Sequence, residues 1–293
     1  WMQLVMMIYH ISGGNHIMPV YLQMRTLVSS YIFLNGFVWF VHFWNKDLSL
    51  PRAVQVLFRL NFFVLVLCIV MKTNYMTYYI VPLLSFWWIV QYGMLSIMPK
   101  MNENNNNVHI ILVLLIKTGI VTYIISILDT SEYAFEQLFM FPPWKRLFSL
   151  SSFEYESGME SIKDISEWRF RWKLDRFSML YGSIFAFCIC TLKKMDIGGF
   201  SNYIALSPVV TKFCVIMTCL TGLLAYAITS GLPEQYNRMH PITAILPIIS
   251  FMLMRNMFGF LKAHYSRFFA WIGTFSIELF VCQYHISMAN DGT

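Results

Sequence analysis

The run FSIELFVCQYHI at 275–286 places an acid, an amide and an imidazole, Glu278, Gln283 and His285, in an otherwise apolar stretch. On a helix, Glu278 and His285 share a face about 10 Å apart, and Ser276 and Gln283 repeat that seven-residue spacing. Such a polar stripe belongs in a bundle interior or a water-filled cavity. A second histidine, His240, opens an apolar run that closes on Arg255 and Asn256. Arg59 and Asn61 sit in LFRLNFFVLVLCIV, and Arg25 lies near the start of another apolar run. A histidine titrates near neutrality, which suits proton transfer or acyl acceptance. A guanidinium matches phosphate geometry, which suits an anionic donor. The segment EWRFRWKLDRF at 167–177 adds Arg169, Arg171, Asp175 and Arg176, either to position an anionic acceptor or as an ion-pair set at a helix start.

The elements that must hold these groups follow from composition. Of 293 residues, 57% are hydrophobic and only 12% charged, against roughly 25% charged in a soluble domain. Mean hydropathy is +0.56. That leaves too little polar surface to cover a globule in water, so lipid must cover the rest. In hydrocarbon every ionisable group is costly and is a functional candidate by default. The plainer reading of each is an inter-helix hydrogen bond or a snorkelling end.

A crossing helix needs about 20 apolar residues. Candidate spans are 20–43, 54–71, 75–98, 108–128, 177–192, 207–230, 240–258 and 268–289, after the tail of another ending near Ile11. The expected fold is all-α, a polytopic transmembrane helix bundle of about eight complete spans plus a partial one. One connector is long, from Asp129 to Asp175, acidic, with an apolar patch at Phe139, Pro142, Pro143 and Trp144 that suits the membrane interface. Lys46, Arg52, Lys100, Lys193, Lys194, Lys262 and Arg267 fall on one side, and only Lys72 and Arg238 in the short loops of the other. The first side is therefore expected to be cytosolic and the long connector lumenal. On that reading Arg59, Asn61, Arg255 and Asn256 lie towards the cytosol, and His240, His285 and the arginine cluster towards the lumen. The chain opens at Trp1 inside an apolar run, and reads as an internal portion of a longer protein.

Other classes fit less well. The net charge of +6 is scattered between apolar runs, with no basic stripe to bind nucleic acid. All six cysteines lie in apolar runs without ligand spacing, so they read as packing residues, and no metal site is expected. A solute transporter is the alternative. Pro82, Pro208 and Pro247 suit kinked helices, yet no internal repeat is visible.

Four stretches carry a family resemblance. EWRFRWKLDRF resembles a Glu-Trp-x-Phe-Arg-x-x-Leu-Asp-Arg motif, and HPITAILPIISFMLMRN at 240–256 is similar to a His-Pro-x-Thr helix ending in Arg-Asn. IGTFSIELFVCQYHI at 272–286 resembles a Gly-x-x-Ser/Thr-x-Glu helix closing on Gln-aromatic-His-Ile, and residues 59–82 match an earlier pair of spans. The family is the ten-transmembrane acyltransferase group, which includes fungal capsule, plant cell-wall and animal sialic acid O-acetyltransferases. The resemblance runs from about Pro19 to His285. It implies a single transmembrane acyltransferase domain over 1–293, in the Golgi membrane, taking acetyl-CoA as donor and glycan hydroxyls as acceptors, with sialic acid the expected sugar. Joined to depth, it casts His285, His240 and Glu278 as catalytic. It casts Arg59, Asn61, Arg255 and Asn256 as donor-binding, and Arg169, Arg171, Asp175, Arg176 and Gln283 as acceptor-binding. Animal and fungal members add a lumenal SGNH-type domain with a nucleophilic serine, and no Gly-Asp-Ser block occurs in this chain. His285-Ile286 is followed by Ser287 where members have Trp.

Overall fold

A computed structural model describes residues 1–14, 17–45, 49–71, 75–97, 107–139, 165–194, 233–257 and 263–286, with isolated positions at 212–220 and 260. Among these residues regular structure is helical, with no strand. The helices are α1 (Met2–Ile11), α2 (Met18–Asn45), α3 (Leu50–Met71), α4 (Ile80–Ser96), α5 (Asn107–Thr130) and α6 (Glu132–Phe139). They continue as α7 (Ile165–Leu174), α8 (Ser178–Lys194), α9 (Pro233–Thr243), α10 (Ile245–Met257), α11 (Arg267–Gly273) and α12 (Ser276–Ile286). A 3₁₀ turn, Tyr75–Tyr78, leads into α4.

Four helical stretches are long and apolar enough to cross a membrane: Met18–Trp44, Leu50–Met71, His109–Thr130 and Trp168–Thr191. Two shorter apolar helices, Met2–Ile11 and Ile80–Ser96, pack among them. α2 has 28 residues, about 42 Å of helix against a hydrocarbon core of about 30 Å. Residues such as Phe58, Ile69, Val70, Leu112 and Tyr123 face outward, as lipid-facing helices require. The expected all-α membrane bundle is the observed fold.

The tightest contact is between α2 and α8. A Cβ at Gly182 would sit 2.1 Å from the Phe33 carbonyl oxygen, and one at Gly36 would sit 2.5 Å from that of Met179. Only glycine permits this backbone approach, the usual device where apolar burial does not drive helix association. Gln91 of α4 locks the pair, its Nε2 donating to the Gly36 carbonyl and to Ser183 Oγ, both at 2.9 Å. This lock fixes where the start of α8 lies against the middle of α2.

The connector expected over 129–175 is helical at both ends, in α6 and α7, while 140–164 lie outside the described residues. The reason is aromatic pairing at four-residue spacing. Phe135 and Phe139 form one stripe, Trp168 and Trp172 another, and all four are buried. Phe135 meets Trp172 at 5.4 Å and Phe139 meets Trp168 at 5.7 Å between ring centroids. Trp172 also stacks on Trp87 of α4, at 6.0 Å and 9°. The acidic and basic residues hid this apolar face, so the expected span 177–192 begins earlier, at Trp168. The expected span 207–230 falls almost wholly outside the described residues. Those over 240–258 and 268–289 are each divided in two, at Ala244 and at Thr274–Phe275.

Candidate active site

Two of the residues singled out by sequence meet inside the bundle through a third that was not. Asp175 opens the turn between α7 and α8, and His240 lies in the last turn of α9. Ser29 of α2 stands between them. Its Oγ–H donates to an Asp175 carboxylate oxygen at 2.5 Å, and the same Oγ lies 2.8 Å from His240 Nε2. The other ring nitrogen, Nδ1, lies 2.8 Å from the Tyr236 hydroxyl, one turn earlier on α9. Ser29 is 0% exposed, His240 1% and Asp175 2%.

With Asp175 ionised, donor counting gives this chain one direction. A serine has one proton, and Ser29 gives it to Asp175, so its oxygen accepts from His240. Nε2 then carries the imidazole proton and Nδ1 accepts from Tyr236. The rival acceptor for Tyr236, the Leu22 carbonyl, is 3.4 Å away, a far weaker bond than one of 2.8 Å. The chain therefore reads Tyr236 to His240 to Ser29 to Asp175, each hydroxyl or N–H donating to the next. Burial pushes the Tyr236 phenol up to about 12, so at neutral pH it stays a donor. A neutral imidazole held at both nitrogens in low dielectric is poised to pass a proton along the chain.

A half-buried rim adjoins this chain. Tyr21, Arg25 and Ser29 follow at four-residue spacing, so they share one face of α2. Arg25 Nε donates to Tyr21 Oη at 3.0 Å, and the guanidinium carbon lies 5.3 Å from that ring's centroid. Tyr21 Oη in turn reaches Asn237 Oδ1 at 3.3 Å. Arg171 lies over the ring of Tyr79 at 4.4 Å.

The remaining candidates fall into separate groups. Tyrosines around the 3₁₀ turn collect three of them: Tyr75 donates to Asn61 Oδ1, Tyr78 bonds His285 Nε2, and Tyr79 carries Arg171. Asn61 also donates to Ser85 Oγ at 2.9 Å. Arg59 and Glu278 line a shared cavity of about 530 Å³ with Gln3, Tyr31, Asn35 and Ser276. Asn35 is six residues beyond Ser29, about 9 Å along α2 and about a third of a turn round it. Phe251, one turn before Arg255, meets Trp1 of that cavity's wall at 6.0 Å; Arg255 itself is exposed. The Asn256 side chain lies outside the described residues. Gln283 is buried, its Nε2 without a hydrogen-bond acceptor among the described residues. Arg169 pairs with Glu132 at 3.0 Å, and Arg176 and Lys173 both pair with Asp129, at 3.0 and 3.4 Å. Among the described residues no cluster of metal-ligating side chains occurs.

Close helix packing and apolar outward faces define a polytopic membrane protein, and a hydrogen-bonded imidazole is buried between its helices. The whole chain, residues 1–293, matches the family described as "10 TM Acyl Transferase domain found in Cas1p", and it belongs to that family. It is also similar to the N-acetylneuraminate (7)9-O-acetyltransferase of Danio rerio, 39% identical over 297 residues covering 99% of the chain. The chain spans about a third of that relative, 36% of its length. No solved structure matches it.

Ser29 escaped the sequence reading because a serine in VSSYIF is an ordinary packing residue. The signal available was its place four residues beyond Arg25 and eight beyond Tyr21. The tyrosines at 75, 78 and 79 gave no signal in a chain with 16 of them.

Proposed function

We propose that this chain is the membrane-embedded part of an acetyl-CoA-dependent O-acetyltransferase that modifies glycan hydroxyls, with sialic acid as acceptor, in the Golgi membrane. The similarity to the Danio rerio sialate O-acetyltransferase supports the reaction and the acceptor. The observation that carries the reading is His240, buried between the Tyr236 hydroxyl and Ser29, with Asp175 behind it. The acceptor hydroxyl attacks the acetyl carbonyl, its proton enters the chain at Tyr236 as the Tyr236 proton moves to His240 Nδ1, and the thiolate leaves. Asp175 balances the imidazolium that forms. With both ring nitrogens hydrogen-bonded, His240 is better suited to this base role than to carrying the acetyl group.

Acetyl-CoA approaches from the cytosol, its phosphates held by Arg59 and Arg255, with Asn61 and Asn256 completing that end. Glu278 lines the same cavity as Arg59 and His285 stands against Tyr78; both are on α12, along the acetyl group's route. On the far side Arg171, Gln283 and the Asp175 turn meet the acceptor. Arg169 and Arg176, through Asp129 and Glu132, orient α7 for that surface and for a lumenal SGNH-type partner domain. The chain forms one acyltransferase domain, with its 129–175 connector in the lumen.

The test is vectorial. Vesicles carrying the full-length protein receive labelled acetyl-CoA outside and a sialylated glycan inside. The reading predicts saturable label on the enclosed glycan as an alkali-labile ester. Saturable solute flux with no acetyl-CoA consumed would make the protein a transporter instead.

A further inference from the structure

We propose that α9 is a hinged strap, which lifts Tyr236 and His240 off α2 to admit the acceptor and closes over it for transfer. The proposal rests on the transfer reading above and adds the movement that reading requires. As the structure stands, the relay is shut. Ser29, Asp175, Tyr236 and His240 are all buried. Both imidazole nitrogens are taken up, one by Ser29 Oγ and the other by the Tyr236 hydroxyl. A sugar hydroxyl comes within hydrogen-bond reach of Tyr236 only when one wall of the site moves.

The features of α9 mark it as that wall. Pro241 lies inside the helix and Pro247 in the first turn of α10, on either side of the break at Ala244. A proline has no N–H, so the carbonyls of Asn237 and Thr243, four residues before each, lack their helical donor. Helices bend at such points. The outer face of α9 is open, with Arg238, Met239 and Ile242 exposed. Among the bonds from its inner face to α2, His240 to Ser29 is short, at 2.8 Å. Tyr21 to Asn237 is 3.3 Å and Tyr236 to the Leu22 carbonyl is 3.4 Å, long enough to be weak. α2 has no such freedom, because it touches α8 at Gly36 and Gly182 and is locked there by Gln91. The wall that moves is therefore α9, pivoting at Ala244 along α7, against which it also packs. Its return over the acceptor excludes water from the relay.

The experiment has two arms, both on the full-length protein in membranes. The first follows backbone amide exchange in wild type, with coenzyme A present and a sialylated glycan added or withheld. Without glycan, the amides of 237–240 are expected to exchange roughly 100-fold faster than those of 26–36, as a locally opening element does beside a locked one. Added glycan is expected to slow 237–240 by roughly 10-fold or more, by binding the closed form. The second arm joins Tyr21→Cys to Asn237→Cys with a short, reducible thiol cross-linker. The bridged protein is expected to lose acetyl transfer by roughly 10-fold or more, since strap opening then limits turnover. Reduction of the bridge should restore the rate, and the same reagent should leave either substitution alone unaffected. A bridged protein that transfers at its unbridged rate overturns the proposal. Amides of 237–240 as slow as those of 26–36, or indifferent to glycan, overturn it too, and that readout needs no variant. Wild type that shows the glycan-dependent protection but moves no acetyl group overturns the transfer reading alone.

Discussion

Ser29 and His240, 211 residues apart in the chain, meet at 2.8 Å in a part of the bundle closed to solvent. The contact exists because three independent placements coincide. Gly36 and Gly182 let α2 and α8 touch backbone to backbone, the α7–α8 turn delivers Asp175, and α9 brings His240 and Tyr236 on one face.

Ser29→Ala removes the donor to Asp175 and the acceptor for His240 Nε2–H at once. Leaving such groups unsatisfied costs about 1–3 kcal/mol each, and the relay is cut. Acetyl transfer should fall by roughly 100-fold or more, the worth of a positioned general base. Thermal unfolding in detergent should show an intact but weakened fold. Ser29→Thr, which restores the hydroxyl, should recover most of the rate. Wild-type turnover in the alanine variant would show that the chain is not needed.

Gly182→Ala places a methyl 2.1 Å from a backbone carbonyl, so α2 and α8 must separate. The expected loss is about 1–3 kcal/mol of stability, as for other overpacked sites, with transfer falling in step because Ser29 and Asp175 part. Gly93→Ala is the matched control. It meets nothing within 4 Å and should gain up to about 1 kcal/mol from helix propensity. Equal melting temperatures for the two variants would contradict the close-packed interface.

These two positions also show how far the sequence carries. Apolar runs and scarce charge are local signals, so the membrane bundle was legible in them, and His240 and Asp175 stood out as polar groups in motifs. Ser29, Gln91, Gly36 and Gly182 were not legible, because each is an ordinary residue until a helix from elsewhere in the chain arrives beside it. The connector misled for the opposite reason. Its charges dominate the composition of 129–175, while the faces made by Phe135, Phe139, Trp168 and Trp172 become apolar surfaces only once wound into helices.

Asp129 accepts ion pairs from Arg176 and Lys173, while its carbonyl oxygen accepts from Arg169. These side chains are part-exposed, so Asp129→Asn should cost only about 1 kcal/mol. Its effect should shrink as salt rises from 0.05 to about 1 M, where the screening length falls to about 3 Å. Melting curves of wild type and variant at both salt levels measure this. A salt-independent difference would contradict an electrostatic anchor.

His285 Nε2 is bonded to the Tyr78 hydroxyl, and Tyr78 is fully buried. His285→Ala should abolish transfer with expression unchanged. Tyr78→Phe, which keeps the histidine but frees its ring, should give a smaller loss, of roughly 10-fold for one lost hydrogen bond. Single-turnover assays separate the two. Full activity in His285→Ala would remove that histidine from the reaction.

The central claim is that His240, seated between Tyr236 and Ser29, moves the proton in acetyl transfer. The most direct measurement is the single-turnover rate of acetyl transfer by His240→Gln, which keeps a polar group at the site but cannot take up a proton at neutral pH. The account predicts a loss of roughly 100-fold or more, with acetyl-CoA binding and the melting temperature close to wild type. A rate within about twofold of wild type would contradict it.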